Sequence, residues 1–377
     1  NSVEFDLREN NTGSYPRGLV IFFEALSTWL YEGDPLAHLP FEGPLARLKA
    51  RLAKGEMVFE ELIHTHFLEN PHRALVILKP DTSLGARREA AEAERLATVK
   101  AALSPAELAE LVQETHTLRA LQEAPDSPED LARIPRLTLA DLPRENAVIP
   151  SERVELPGAG AAAFVHDLPT SGVVYLDLGF DMAAVPDSLL PLVPILGRAL
   201  FEMGTKKSSF VDLSRAIAMS TGGVWAQTFV SASRAPSGPV AQRLFLRGKA
   251  TAENLPVLLE LMGEVLHDAD FSDAERLGKI IMESKARREQ RLIPSGHVLA
   301  ATRLKARTGV PQAMGEAMSG LSGLVSLREL AARMETAPEA VSADLHQLLA
   351  LLLSRRGLVA NLTADGATIA QTLPRLT

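Results

Sequence analysis

The sequence predicts an α+β protein in which layers of helix and sheet are joined by a helical hairpin. Three observations carry this. Residues 150 to 366 alternate short runs of strand periodicity with longer runs of helical periodicity. Residues 1 to 84 read as strand, helices and strand. Between them the composition shifts to Ala, Glu and Arg, all strong helix formers.

The 377 residues leave room for two or three domains, and 46% hydrophobic with 23% charged residues is ordinary globular composition. A net charge of −8 argues against a nucleic-acid footprint and disfavours an anionic membrane surface. The chain has no cysteine, which excludes disulfides and thiolate metal sites and permits a reducing compartment. Leu345 to Leu353 is the richest apolar run and is too short to span a bilayer. No signal peptide opens the chain, and its first residues read as the middle of a domain, so the expectation is a fragment, with a cytoplasmic setting as the default.

In chain order, Val3-Glu4-Phe5-Asp6-Leu7 alternates like a strand, and residues 8 to 16 form a polar loop. Gly18 to Tyr31, Glu42 to Lys54 and Glu56 to Leu68 carry helical apolar spacing, and Arg73 to Lys79 reads as a closing strand stopped by Pro80. Ala86 to Leu103 is the first arm of the hairpin. Ser104-Pro105-Ala106-Glu107 is a capping box with proline at the first helical position, and it starts the second arm. A proline-spaced segment then runs to Pro150. The stretch 173 to 205 organises the rest of the chain. Val173 to Phe180 suits a pleated strand, and Leu192, Ile195, Leu196, Ala199, Leu200 and Met203 recur at helical spacing before Gly204, which suits the position just past a helix end. Pro194 must kink that helix or delay its start. Further strands are expected at 153 to 156, 162 to 165, 224 to 233, 242 to 249 and 357 to 362. Helices are expected at 210 to 220, 254 to 267, 273 to 290, 295 to 309, 312 to 319, 327 to 334 and 340 to 354.

Phe164-Val165-His166-Asp167, a second strand, and a helix ending in Gly204-Thr205 resemble the opening of a pitrilysin-type (inverzincin) domain. Thr221-Gly222-Gly223-Val224-Trp225-Ala226 resembles that family's Gly-Gly turn before a sheet strand. Residues 8 to 18, 70 to 73 and 78 to 81 resemble the end of the second domain in its presequence-protease branch. The segment after them resembles that branch's hairpin linker, although any two-helix linker is equally served by it. The resemblance implies two-layer domains, an antiparallel sheet covered by helices. It divides the chain into the C-terminal half of a non-catalytic domain (1–84), a hairpin linker (85–149), a complete non-catalytic peptidase-associated domain (150–366) and the start of a link to a further domain (367–377).

The same resemblance sets the expectations for chemistry. The family's zinc peptidases carry an inverted His-x-x-Glu-His on the helix before Gly-Thr, and here those positions fall on Ile195, Arg198 and Ala199, which leaves no ligand. Glu283 falls near the family's distal glutamate ligand, but zinc wants at least three protein ligands, so a solvated or salt-bridged glutamate is the better reading. The nine histidines (38, 64, 66, 72, 116, 166, 267, 297 and 346) include no pair at either zincin spacing. His64 and His66, the one tight pair, point to different faces of a helix. Ser237-Gly238 lacks a nucleophile elbow, Met318 to Leu324 is a small-residue loop without a phosphate-binding signature, and Lys285 to Arg291 reads as a solvated basic face, with acidic-peptide contact as the lesser alternative.

The sequence therefore assigns no catalytic, metal-binding or cofactor-binding residue in this chain. Peptide binding at an exposed sheet edge fits better than chemistry does. The resemblance implies a chamber that encloses peptide, with strands 173 to 180 and 224 to 233 as its candidate lining and neither face singled out. The expected function is the central, non-catalytic part of a peptide-degrading zinc metalloendopeptidase. Zinc is implied for the intact enzyme only. Its partners would be peptide substrates and the missing catalytic and C-terminal domains, with no nucleic acid and no membrane. The alternative is a stand-alone scaffold or partner subunit with a degenerate peptidase fold.

Overall fold

The computed structural model describes residues 2–146, 148–156, 160–233, 238–354 and 357–376. The chain forms two compact units, Asn1–Arg47 with Val148–Thr377, and Leu48–Ala147. Its first helices are α1 (Ser2–Glu9), α2 (Arg17–Trp29) and α3 (Glu42–Ala53).

Residues 3 to 7 are thus helical rather than a strand. Five alternating residues fit either period, and packing decides. The helical turn puts Ser2, Phe5 and Glu9 on one side. Ser2 Oγ donates to the Ala218 carbonyl at 2.6 Å, and Phe5 is 3% exposed with its ring against Gly222, 2.1 Å from where a Cβ would stand. Glu9 accepts from Lys249 Nζ at 2.6 and 2.7 Å.

In the unit Leu48–Ala147, α4 (Val58–Ile63) runs into a π-helical turn, His64–Leu68. Then come α5 (Leu84–Ala102), α6 (Pro105–Glu123) and α7 (Pro128–Arg133). The capping box forms as its sequence requires, with Glu107 N donating to Ser104 Oγ at 3.2 Å and Ser104 N to Glu107 Oε2 at 2.8 Å. Residues 73–79 are not a strand, and among the described residues no ladder pairs with them. Leu75 to Leu78 stay exposed, because apolar, β-prone residues form a strand only where a neighbour completes the hydrogen bonds.

The rest of the chain builds the strands β1 (Glu152–Leu156), β2 (Ala161–Asp167) and β3 (Val173–Asp181), and the helices α8 (Val193–Glu202) and α9 (Phe210–Ser220). Next are β4 (Gly223–Ser231), β5 (Ala241–Thr251), α10 (Leu255–His267), α11 (Ala274–Gln290), α12 (Gly296–Lys305), α13 (Val310–Ser319), α14 (Leu321–Thr336) and α15 (Pro338–Leu352). The chain closes with β6 (Val359–Ala364) and α16 (Gly366–Thr372). Pro194 delays the helix start: a 3-10 turn (Leu190–Leu192) precedes α8, which takes Pro194 into its first turn.

The six strands form one sheet in the order β1-β2-β6-β3-β5-β4. All neighbours are antiparallel except β2 and β6. β6 arrives late in the chain and inserts between β2 and β3, with Phe164 opposite Asn361 and Asp177 opposite Asn361 on its other side. Alternation then sorts the side chains. Val165, Val174, Leu176, Leu244, Leu246, Ala250 and Leu362 belong to one buried core with the apolar sides of α8, α10 and α11. The opposite face carries Phe164, Asp177, Phe245, Arg247 and Asn361, with Trp225, Gln227 and Phe229 from the edge strand β4. Met318 to Leu324 is a helix junction, not a loop, since α13 ends at Ser319 and α14 begins at Leu321. Gly323 lies too close to the Ala317 and Met318 backbone, 2.8 Å, to carry a Cβ.

Candidate functional site

Two places hold the candidate chemistry. The first lies where α8 meets α11. The apolar side of α8 turns inward, so Ile195 (1% exposed) and Ala199 (0%) are core residues. Arg198, on the same turn, reaches across to α11. Its Nε and Nη2 donate to Glu202 at 2.8 and 2.6 Å, and Nη2 also reaches Glu283 at 3.1 Å. Nη1 donates to the Ile280 carbonyl at 3.0 Å and Ser284 Oγ at 2.6 Å. The hydrogen bond to Glu202, then that to Glu283, hold the guanidinium above its ordinary range against the opposing effect of burial.

These residues do not fit a zinc ion. At the three positions matched to the metal motif stand two buried alkyl side chains and a cation, and Glu283 is engaged with that cation. The arrangement can bind helices together and can supply no ligand set. Among the described residues no group of three or more His, Asp or Glu is placed to hold a metal ion. His64 lies in the π-helical turn with its Nδ1 3.3 Å from Glu69, and His66 follows two residues later in that turn. Ser237 lies outside the described residues.

The second place is the open face of the sheet. Here each of five strands contributes one polar side chain to a continuous row. His166 on β2 sets its Nδ1 2.8 Å from the Pro150 carbonyl and its Nε2 2.9 Å from Asn361 Oδ1 on β6. Asn361 Nδ2 faces Asp177 Oδ2 on β3 at 3.4 Å. Asp177 takes both arms of Arg247 on β5, at 2.9 and 3.1 Å, and Arg247 also donates to Gln227 on β4 at 2.8 Å. The Arg247 guanidinium stands 5.7 Å from the centre of the Trp225 ring, within cation–π reach. Four members of this row, all but His166, line a depression of about 530 Å³ together with Phe164, Phe229, Phe245, Val359 and Arg243. The Phe245 ring packs over Gly179, where a Cβ would meet it at 2.6 Å.

Strands 173 to 180 and 224 to 233, expected from sequence as peptide lining, contribute Asp177, Gln227 and Phe229 to this depression, and the polar row was not expected. His166 and Asn361 are 195 positions apart, and no short-range pattern signals that they meet. It also missed the anchoring of α1 onto this face. Tyr175 OH donates to Glu9 at 3.2 Å beside Lys249. Burial, then the charge of Glu9 and the hydrogen bond to it, push the Tyr175 phenol from 10.0 up to about 12. A raised phenol pKa means that the contribution is intact below pH 10 and is lost as pH rises towards 12. The wild type should therefore lose stability relative to Tyr175→Phe across that window, with a phenolate absorbance step near pH 12 that the variant lacks. Parallel pH–stability curves for the two proteins would show that Tyr175 is not linked to folding.

Known proteins are similar to this sequence over most of its length. A family model described as Peptidase M-16C associated matches residues 78–330. Presequence protease 1, chloroplastic/mitochondrial, of Arabidopsis thaliana is 38% identical over 371 residues, covering 98% of this chain and 34% of that protein. Protein HypA of Clostridium perfringens is 33% identical, over 85% of this chain and 33% of that protein. The mitochondrial presequence protease of Xenopus laevis is 24% identical, over 87% and 31%. The chain belongs to the Peptidase M-16C associated family. It spans about a third of the length of these relatives. Among the described residues no helix is long and apolar enough to cross a membrane.

Proposed function

We propose that this chain is the non-catalytic central part of a peptide-degrading zinc metalloendopeptidase, and that its open sheet face forms part of the wall around the substrate. Residues 1–84 are the end of one peptidase-like domain, 85–149 the hairpin linker, 150–366 a complete non-catalytic copy and 367–377 the start of a further link. The carrying observation is the Arg198 cluster. Arg198, which the resemblance matches to a metal-motif position, is a cation bonded to Glu202 and Glu283. The zinc, and the peptide hydrolysis it would support, belong in this reading to a domain outside the chain. The intact protein would work in a cytoplasm, in keeping with the cysteine-free composition.

The test compares this chain with the full protein. The chain, purified without chelator or metal-affinity resin, should hold no stoichiometric zinc and cleave no peptide. The full protein should cleave peptides and lose that activity to a chelator. One tightly held zinc per chain, or chelator-sensitive cleavage by the chain alone, would sink the proposal. A full protein without peptidase activity would favour a non-enzymatic scaffold.

A further inference from the structure

The depression on the open face has an unequal pair of arginines. Arg247 is matched, because both its arms are on Asp177 and its remaining end is on Gln227. Arg243 is not. Its Nη1 donates to two main-chain carbonyls, Gly179 at 3.2 Å and Gly357 at a short distance. Its register partner Asp181 accepts instead from Ala183 N at 2.9 Å. Among the described residues no carboxylate lies within 4.0 Å of the Arg243 guanidinium. With both Nη1 hydrogens used, Nε–H and the Nη2 hydrogens remain, and these form the side of the fork that grips a carboxylate with two parallel bonds.

Three phenylalanines share the depression with Arg243, and one of them, Phe229, is its register partner on β4. Phe164 is 37% exposed and Phe229 47%, and Phe245 packs edge-on to Phe229 with 6.1 Å between ring centres. A ligand that satisfies both features carries a carboxylate within a bond or two of an apolar side chain. An aspartate or glutamate within a peptide supplies the charge without the apolar group, and an internal leucine or phenylalanine supplies the reverse. The last residue of a peptide supplies both. Its side chain would fill the phenylalanine-lined space, and Gln227 would stand within the same depression for its main-chain polar groups.

We propose that the depression formed by Phe164, Phe229, Phe245 and Val359 with Arg243 binds the C-terminal residue of a peptide, an apolar side chain in the depression and its α-carboxylate on Arg243. This deepens the wall reading above and rests on it. Arg243, already braced by two carbonyls, loses little freedom on binding, which favours a fixed anchoring point over a loose contact.

The experiment measures binding of a labelled decapeptide ending in leucine to the 377-residue chain by fluorescence anisotropy, as the free acid and as the C-terminal amide. The acid should bind about tenfold tighter than the amide, the scale expected when a charged hydrogen-bonded partner is lost. Arg243→Gln should abolish that difference while leaving the weaker amide binding in place. Arg243→Lys, which keeps the charge without the fork, should restore part of it. Phe245→Ala should weaken both forms and reduce the preference for a leucine over an aspartate terminus. Thermal unfolding of each variant separates loss of the site from loss of the fold. Equal binding of acid and amide, or a difference that survives Arg243→Gln in a folded protein, overturns the C-terminal site but leaves the wall reading standing. Absence of binding by any peptide overturns both. Displacement of the tracer by decanoate with no preference among peptide termini would assign the depression to small apolar acids and overturn the peptide-end proposal.

Discussion

Gly204→Ala lowers the unfolding free energy of the chain by about 2–3 kcal/mol. The sequence places this glycine just past a helix, where a Cβ costs roughly 1 kcal/mol. α8 does end at Glu202 with Met203 as its last capping residue, so Gly204 occupies the expected position. Its φ is +132°, however, not that of a left-handed helical cap. L side chains rarely adopt that backbone. A Cβ there would also stand 3.0 Å from Phe210 N and 3.1 Å from the Ser208 carbonyl, both main-chain atoms with little room to yield. The strain falls on a hub. Gly204 bridges Ser209, Thr205 N donates to the Ser208 carbonyl at 2.9 Å, and Thr205 Oγ1 receives Ser208 N at 2.8 Å. Thr205 Oγ1 also donates to Glu264 on α10 at 2.5 Å. The Gly-Thr pair thus turns the chain from α8 into α9 and ties the turn to a third helix. Denaturant unfolding of the variant measures the effect, and a loss below about 0.5 kcal/mol would mean that the turn relaxes freely.

Elements with a strong local period were legible. β3 and α8 follow from alternation and helical spacing over many residues, and the Ser104 capping box from four residues of known chemistry. α1 was not legible, because Val3, Phe5 and Leu7 alternate while Ser2, Phe5 and Glu9 make the contacts. Local pattern weighed the wrong set, and the docking surface at Gly222 and Lys249 decided it. Residues 73–79 have strand composition and no partner, and composition cannot report a missing neighbour. The Arg198 site was legible in part. Matching Gly204-Thr205 singled out Arg198, and Glu283 emerged separately from the later helix α11. Only the packing of α8 on α11 joined the two at 3.1 Å. The open-face row was invisible, since it is written one residue per strand across five strands in non-sequential order.

Arg198→Met destabilises the chain by about 2 kcal/mol, the second large effect expected. Methionine keeps the aliphatic stem and helix propensity, so the change isolates the guanidinium. Its loss strands the Ser284 hydroxyl, although that group also donates to the Ile280 carbonyl at 2.8 Å, so the strictly orphaned polar surface is small. The larger loss is electrostatic. One nitrogen, Nη2, bonds both Glu202 and Glu283, and without it the two carboxylates keep only the longer, exposed pair of Glu283 with Arg287 at 3.7 Å. Exposure sets the scale. The Arg198 side chain is 21% exposed, Glu202 36% and Glu283 56%, so solvent screens the pair with Glu283 more, and Glu202 dominates. A fully buried triad would cost more when broken. Because the guanidinium's pKa is raised, its contribution is complete at every pH below the ordinary arginine range, and the loss in the variant should not vanish in mild alkali. Glu283→Gln alone should cost well under about 1 kcal/mol, and the double variant should recover part of the Arg198→Met loss, with a coupling energy of about 1 kcal/mol that shrinks with added salt. Strict additivity of the two substitutions at low salt would show that the arginine holds α8 to α11 through Ile280 and Ser284 alone, and that Glu283 plays no part in the lock.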